Sequence, residues 1–134
     1  MHYRNVFVVG LSQGGFASLF AAIAAQPTAA VVASGYSVLF EELFYGALNQ
    51  PIAPDLRKFY GKDQILKSIT KGKTRYLFSW EESENLIYGY ESESLESFRI
   101  LEKTGKAEYY NKNRGHTFPP GVVLTSFYKK MKAD

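Results

Sequence analysis

A chain of 134 residues holds one domain with a real core and is too short for two ordinary ones. Its 46% hydrophobic and 22% charged residues exclude the composition of a disordered chain, and the lack of cysteine excludes a disulfide framework, a thiolate metal site and a cysteine nucleophile. The net charge of +3 is mild, and Lys58, Lys62, Lys67, Lys71 and Lys73 are scattered without any recognisable nucleic-acid-binding module, so nucleic acid is not an expected partner.

The first residues lack a basic segment followed by an apolar one and a small-residue cleavage site, which makes a cytoplasmic location the expectation. Asn5 to Val9 is an apolar run rich in β-branched residues, predicted as a strand buried on both faces of a parallel sheet and ending at Gly10. From Gly14 to Ala25, Phe16, Leu19, Phe20 and Ile23 recur at helical spacing among alanines. Gln26 and Pro27 break this helix, so the apolar stretch from Phe16 to Ala33 is not a membrane span. Ala29 to Ala33 is predicted as the next buried strand.

Tyr36 to Lys62, interrupted by Pro51, Pro54 and Gly61, is read as a helix followed by an irregular excursion placed to cover a pocket. Asp63 to Ile69 is a short predicted helix with Asp63 as its cap and Lys71-Gly72-Lys73 as its stop. Thr74 to Trp80 is a third strand. Ser92 or Ser94 then caps a helix carrying Leu95, Phe98 and Leu101, which Gly105 closes. Ala107 to Tyr110 is a fourth strand, and Pro119-Pro120 opens a last helix with Leu124, Phe127 and Met131 in register. This alternation predicts a single α/β domain over residues 1–134: a three-layer sandwich around a short parallel sheet of about four strands.

Gly10-Leu11-Ser12-Gln13-Gly14 matches G-x-S-x-G between a predicted strand and a predicted helix, the setting that motif needs to present a serine nucleophile. Glycines flank the serine because side chains there would collide with the strand or the helix. The helix N-terminus points at Ser12, and the Gln13 backbone N–H is an expected oxyanion donor. A phosphate-cradling turn is the poorer reading, since the turn carries no lysine.

Gly10-Leu11-Ser12-Gln13-Gly14-Gly15, followed by Ala33-Ser34-Gly35-Tyr36, resembles the phospholipase/carboxylesterase group that includes acyl-protein thioesterases, within the dienelactone-hydrolase-like α/β-hydrolases. The resemblance implies hydrolysis of a small-molecule carboxylic ester or thioester through an acyl-enzyme, with no cofactor or metal. Leu11 and Tyr36 are its expected substrate contacts, and the apolar residues Leu39, Phe40, Leu43, Phe44 and Tyr45 are candidates to line an acyl pocket, although most would serve the core.

His116, in Asn113-Arg114-Gly115-His116-Thr117-Phe118, lies where the family places its general base, and imidazole titrates in the right range for that task. The only other histidine, His2, is near a terminus. The orienting acid should follow the third strand. Glu81, Glu82 and Glu84 are all available there, and Ser79 standing where the family has the glycine of Gly-x-x-Asp favours Glu82.

The resemblance covers nearly the whole chain yet only the C-terminal half of the family's fold. The strands that precede the nucleophile strand in the family, and the second oxyanion donor they supply, are expected from outside these residues. The strand Asn5 to Val9 is then expected as an apolar sheet edge that pairs with a second copy in a homo-oligomer or with a separate N-terminal half. A weak or inactive remnant serving as a binding or assembly module is the competing functional reading.

Overall fold

The computed structural model describes residues 4–34, 62–81 and 99–133. Along the chain these form β1 (Phe7–Leu11), α1 (Gln13–Ala25), β2 (Ala29–Ala33), α2 (Lys62–Lys71), β3 (Arg75–Ser79), a helical stretch at 99–103, β4 (Ala107–Tyr110) and α3 (Gly121–Ala133). The predicted segment 36–62 falls, except for Lys62, outside the described residues, as do Ser92, Ser94, Leu95 and Phe98.

The four strands make one sheet in the order β1-β2-β3-β4, with all three pairings parallel. β2 is Ala-Ala-Val-Val-Ala and wholly buried, because it lies inside the sheet with helices on both faces. One face presents Ala30, Val32, Tyr76 and Phe78 to Leu19 and Ala22 of α1 and to Ile65 and Ile69 of α2, with Leu101 joining them. The other presents Ala29, Val31 and Leu77 to Phe127 and Met131 of α3. The alternation along β2 and β3 is the period-two geometry of a strand, and two helical layers consume both of its phases.

Several element boundaries differ from the sequence expectation. β1 starts and ends two residues later than predicted, because its ladder with β2 continues through Gly10↔Val32 and Leu11↔Ala33. α2 runs from Lys62 to Lys71, so Asp63 lies in the first helical turn and is not the cap; its carboxylate there, and Lys71 in the last turn, complement the helix dipole. Pro119-Pro120 does precede α3, and the Pro120 carbonyl accepts from the N–H groups of Val123 and Leu124 at 2.9 and 3.1 Å.

The two sheet edges differ. β4 carries Glu108, paired with Lys130 of α3 at 3.1 Å. Among the described residues β1 pairs only with β2, and it has no charged residue; Val6 and Val9 beside this edge are 49% and 44% exposed. No helix among the described residues is long and apolar enough to cross a membrane.

Candidate active site

The four parallel strands deliver four loops to one edge of the sheet, and backbone bonds tie those loops together step by step. Ser12 N–H donates to the Ala33 carbonyl at 2.8 Å, Ser34 N–H to the Ser79 carbonyl at 2.7 Å, and Trp80 N–H to the Tyr110 carbonyl at 3.0 Å. Each strand therefore leaves the sheet fastened to the end of its neighbour.

Ser12 is the single residue between β1 and α1, with φ 60° and ψ −120°. That backbone conformation is rarely adopted by a residue with a side chain and costs on the order of 1–3 kcal/mol. Ser12 also occupies the N-cap position of α1, where a serine ordinarily accepts a hydrogen bond from the first helical turn, yet it makes no side-chain cap. Its carbonyl, by contrast, accepts the first helical bond from Phe16 N–H at 3.0 Å. The backbone starts the helix while the hydroxyl is left out of it.

Two glycines of the motif account for how the turn closes. A Cβ on Gly10 would collide with the Gly14 carbonyl, and one on Gly15 would stand 2.5 Å from the Ala33 carbonyl oxygen. Both obstacles are backbone, so neither can rotate away. Gly14 has nothing within 4 Å of such a Cβ, so its place in the motif is not a matter of space. Ser18, one turn on, donates its buried hydroxyl to the Gly15 carbonyl at 2.7 Å and lies 3.2 Å from the Val31 carbonyl, which keeps α1 tight against β2. Gln13 is the first residue of α1, so its backbone N–H belongs to the turn whose donors have no acceptor within the helix. Leu11, the last residue of β1, is half-buried beside it.

His116 lies at the same edge of the sheet, in the loop after β4. This loop is fastened to the end of β3: Lys112 forms an antiparallel bridge with Glu81, Asn113 N–H donates to the Trp80 carbonyl at 3.2 Å, and the Asn113 side chain donates to Ser79 Oγ at 3.3 Å. Gly115 takes φ 91°, and Thr117 N–H donates to the Gly115 carbonyl at 2.9 Å, so His116 is the exposed centre of a three-residue turn.

Ser12, Gln13 and Leu11 are thus contiguous, and His116 shares their edge of the sheet from the far strand. Glu81 begins the loop beside the histidine loop, while Glu82, Glu84 and Tyr36 lie outside the described residues. Asn113, buried beneath the histidine turn, is a residue that motif reading passed over. A cavity of about 280 Å³ opens at the opposite edge, near Arg75, Lys106, Glu108, Phe127 and Lys130, where none of the motif residues gather. Among the described residues no group of three or more His, Cys, Asp or Glu side chains is placed to hold a metal ion. No protein-family model, curated protein or solved structure matches the chain.

Proposed function

We propose that the chain is a serine hydrolase of the phospholipase/carboxylesterase kind, cleaving a carboxylic ester or thioester through an acyl-enzyme. The observation that carries this reading is Ser12 itself: a residue held at φ 60° on a strand-to-helix turn, at a helix start it does not cap. A strained backbone beneath a hydroxyl that makes no capping bond is the pattern expected of a serine nucleophile on a strand-to-helix turn.

In this reading Ser12 Oγ attacks the acyl carbon while His116 accepts the hydroxyl proton, then passes it to the departing alkoxide or thiolate. The oxyanion forms near the first turn of α1, where the Gln13 backbone N–H and the helix dipole stabilise it. Water next attacks the acyl-enzyme with His116 again as base, which frees the carboxylic acid and restores Ser12. Glu82, with Glu84 and Glu81 as the other choices, orients the imidazole, and Leu11 and Tyr36 flank the substrate. The uncharged β1 edge is assigned to a further strand, from a second copy or from an N-terminal half, and the second oxyanion donor comes from that side. One such donor is worth about 10² to 10³ in rate, so this side of the site weighs heavily in turnover.

The test is hydrolysis of p-nitrophenyl acetate or butyrate, combined with labelling by a fluorophosphonate. Turnover that disappears in Ser12→Ala, with the label on Ser12, supports the assignment. Turnover that Ser12→Ala leaves unchanged refutes it, and a label that attaches elsewhere or nowhere favours a binding or assembly module that keeps the turn without the chemistry.

A further inference from the structure

Asn113 is 4% exposed, and its carboxamide is the polar group buried under the histidine turn. Its Nδ2 donates to the Thr117 carbonyl at 3.0 Å and to Ser79 Oγ at 3.3 Å, and its backbone N–H donates to the Trp80 carbonyl at 3.2 Å. The two ends of the turn, residues 113 and 117, are therefore joined to each other and to the end of β3 by one side chain. Between them lie Arg114, Gly115 and His116, the last exposed.

The other end of the same carboxamide is left over. Asn113 Oδ1 is buried and has no hydrogen-bond partner among the described residues. An unmet buried acceptor costs about as much as a pair of ordinary side-chain hydrogen bonds returns. An apolar residue of similar volume would remove that unmet acceptor but would leave the Thr117 carbonyl and Ser79 Oγ without this donor, so asparagine here sets one unmet acceptor against two directed bonds. What asparagine supplies and an apolar residue does not is the pair of directed N–H bonds that fix where the turn sits.

We propose, building on the serine-hydrolase reading above, that Asn113 is a positioning residue: its carboxamide holds the 113–117 turn so that His116 is presented toward the Ser12 edge. It acts through His116 and touches neither the substrate nor Ser12. Asn113→Ala removes both directed bonds. Asn113→Asp keeps the shape but sets an acceptor against the Thr117 carbonyl, so the shape alone does not rescue the turn. Ser79→Ala removes only the longer contact.

The experiment takes the full chain and two readouts. In ester hydrolysis, Asn113→Ala and Asn113→Asp lower kcat about 10- to 100-fold with KM within about twofold, the size of effect that a misplaced catalytic group produces. Ser79→Ala loses under about threefold. In a His116→Ala background Asn113→Ala adds no further loss; an additional tenfold loss there overturns the proposal, because the asparagine would then act by another route. The second readout is the His116 imidazole signal in NMR, resolved easily in a chain with two histidines. Asn113→Ala moves the His116 ring resonances toward random-coil positions and sharpens them, whereas ring resonances unchanged from wild type overturn the proposal. A protein that hydrolyses no ester but shows the NMR change refutes the hydrolase reading and leaves the positioning role supported.

Discussion

Replacing Ser12 by glycine should make the protein more stable while removing the proposed ester hydrolysis. At φ 60° and ψ −120° a residue with a Cβ pays on the order of 1–3 kcal/mol, and glycine adopts this region without that cost. Against the gain stands the greater freedom of glycine in the unfolded chain, about 0.4–1 kcal/mol. Nothing is lost at the helix start, because the Ser12 side chain makes no capping bond. The balance is a stabilisation of roughly 0.5–2 kcal/mol, or about 2–7 °C in Tm for a domain of this size. Ser12→Ala is the reference: it retains the strain and should stay within about 0.5 kcal/mol of the parent. Urea unfolding followed by circular dichroism, with ester hydrolysis measured alongside, reads both quantities. If Ser12→Gly proves less stable than Ser12→Ala, the backbone at position 12 is not strained, and the reason for assigning a nucleophile there is gone.

The neighbouring glycines should respond with opposite signs. Gly15→Ala drives a Cβ to 2.5 Å from the Ala33 carbonyl oxygen and should cost at least about 2 kcal/mol in thermal or urea unfolding, whereas Gly14→Ala meets open space and gains up to roughly 1 kcal/mol of helix propensity. At high pH, Tyr76 should limit stability: burial pushes its pKa up to about 12, with the Thr74 side chain offsetting part of that rise. Below pH 10 folded and unfolded forms are both protonated at this tyrosine. Between about pH 10 and 12 only the unfolded form releases the proton, so stability falls by at most roughly 2–3 kcal/mol. Tyr76→Phe should flatten that decline measurably in denaturation curves taken across this range, without abolishing it, since burial also raises Tyr128.

Features set by local pattern were legible in the sequence. β2 and β4 coincide with their predicted spans, since a run of small and β-branched residues has few other uses and Gly105, at φ 72°, stops the helical stretch before β4. The late start and finish of β1 were not legible: Gly10 and Leu11 read as turn residues, and only pairing with β2 makes them strand. The same limit applies at the site. G-x-S-x-G is a contiguous signal because sterics within six residues impose it, whereas the seat of His116 depends on bonds to the end of β3 that couple residues 79–81 to residues 112–117. Asn113 escaped notice for that reason. Its partners lie on another strand or across its own loop, and an asparagine near a glycine, as in Asn113-Arg114-Gly115, otherwise signals no more than a turn.

Under the proposed mechanism, the choice among the three glutamates for the orienting acid is open to test, and the ladder of bonds at the carboxyl ends shows how their loop begins. Trp80 is held on both sides of the loop after β4, donating to the Tyr110 carbonyl and accepting from Asn113 N–H, and Glu81 is bridged to Lys112 immediately afterwards. The backbone that enters the acidic loop is therefore fixed against the backbone that carries the histidine. Substituting each of Glu81, Glu82 and Glu84 by glutamine separates them. The true orienting acid should lower kcat by several hundredfold or more with little change in KM, as expected when the imidazole loses the partner that holds its tautomer, while the other two change kcat by less than about threefold. Three equal and small effects would mean that none of these glutamates orients the imidazole.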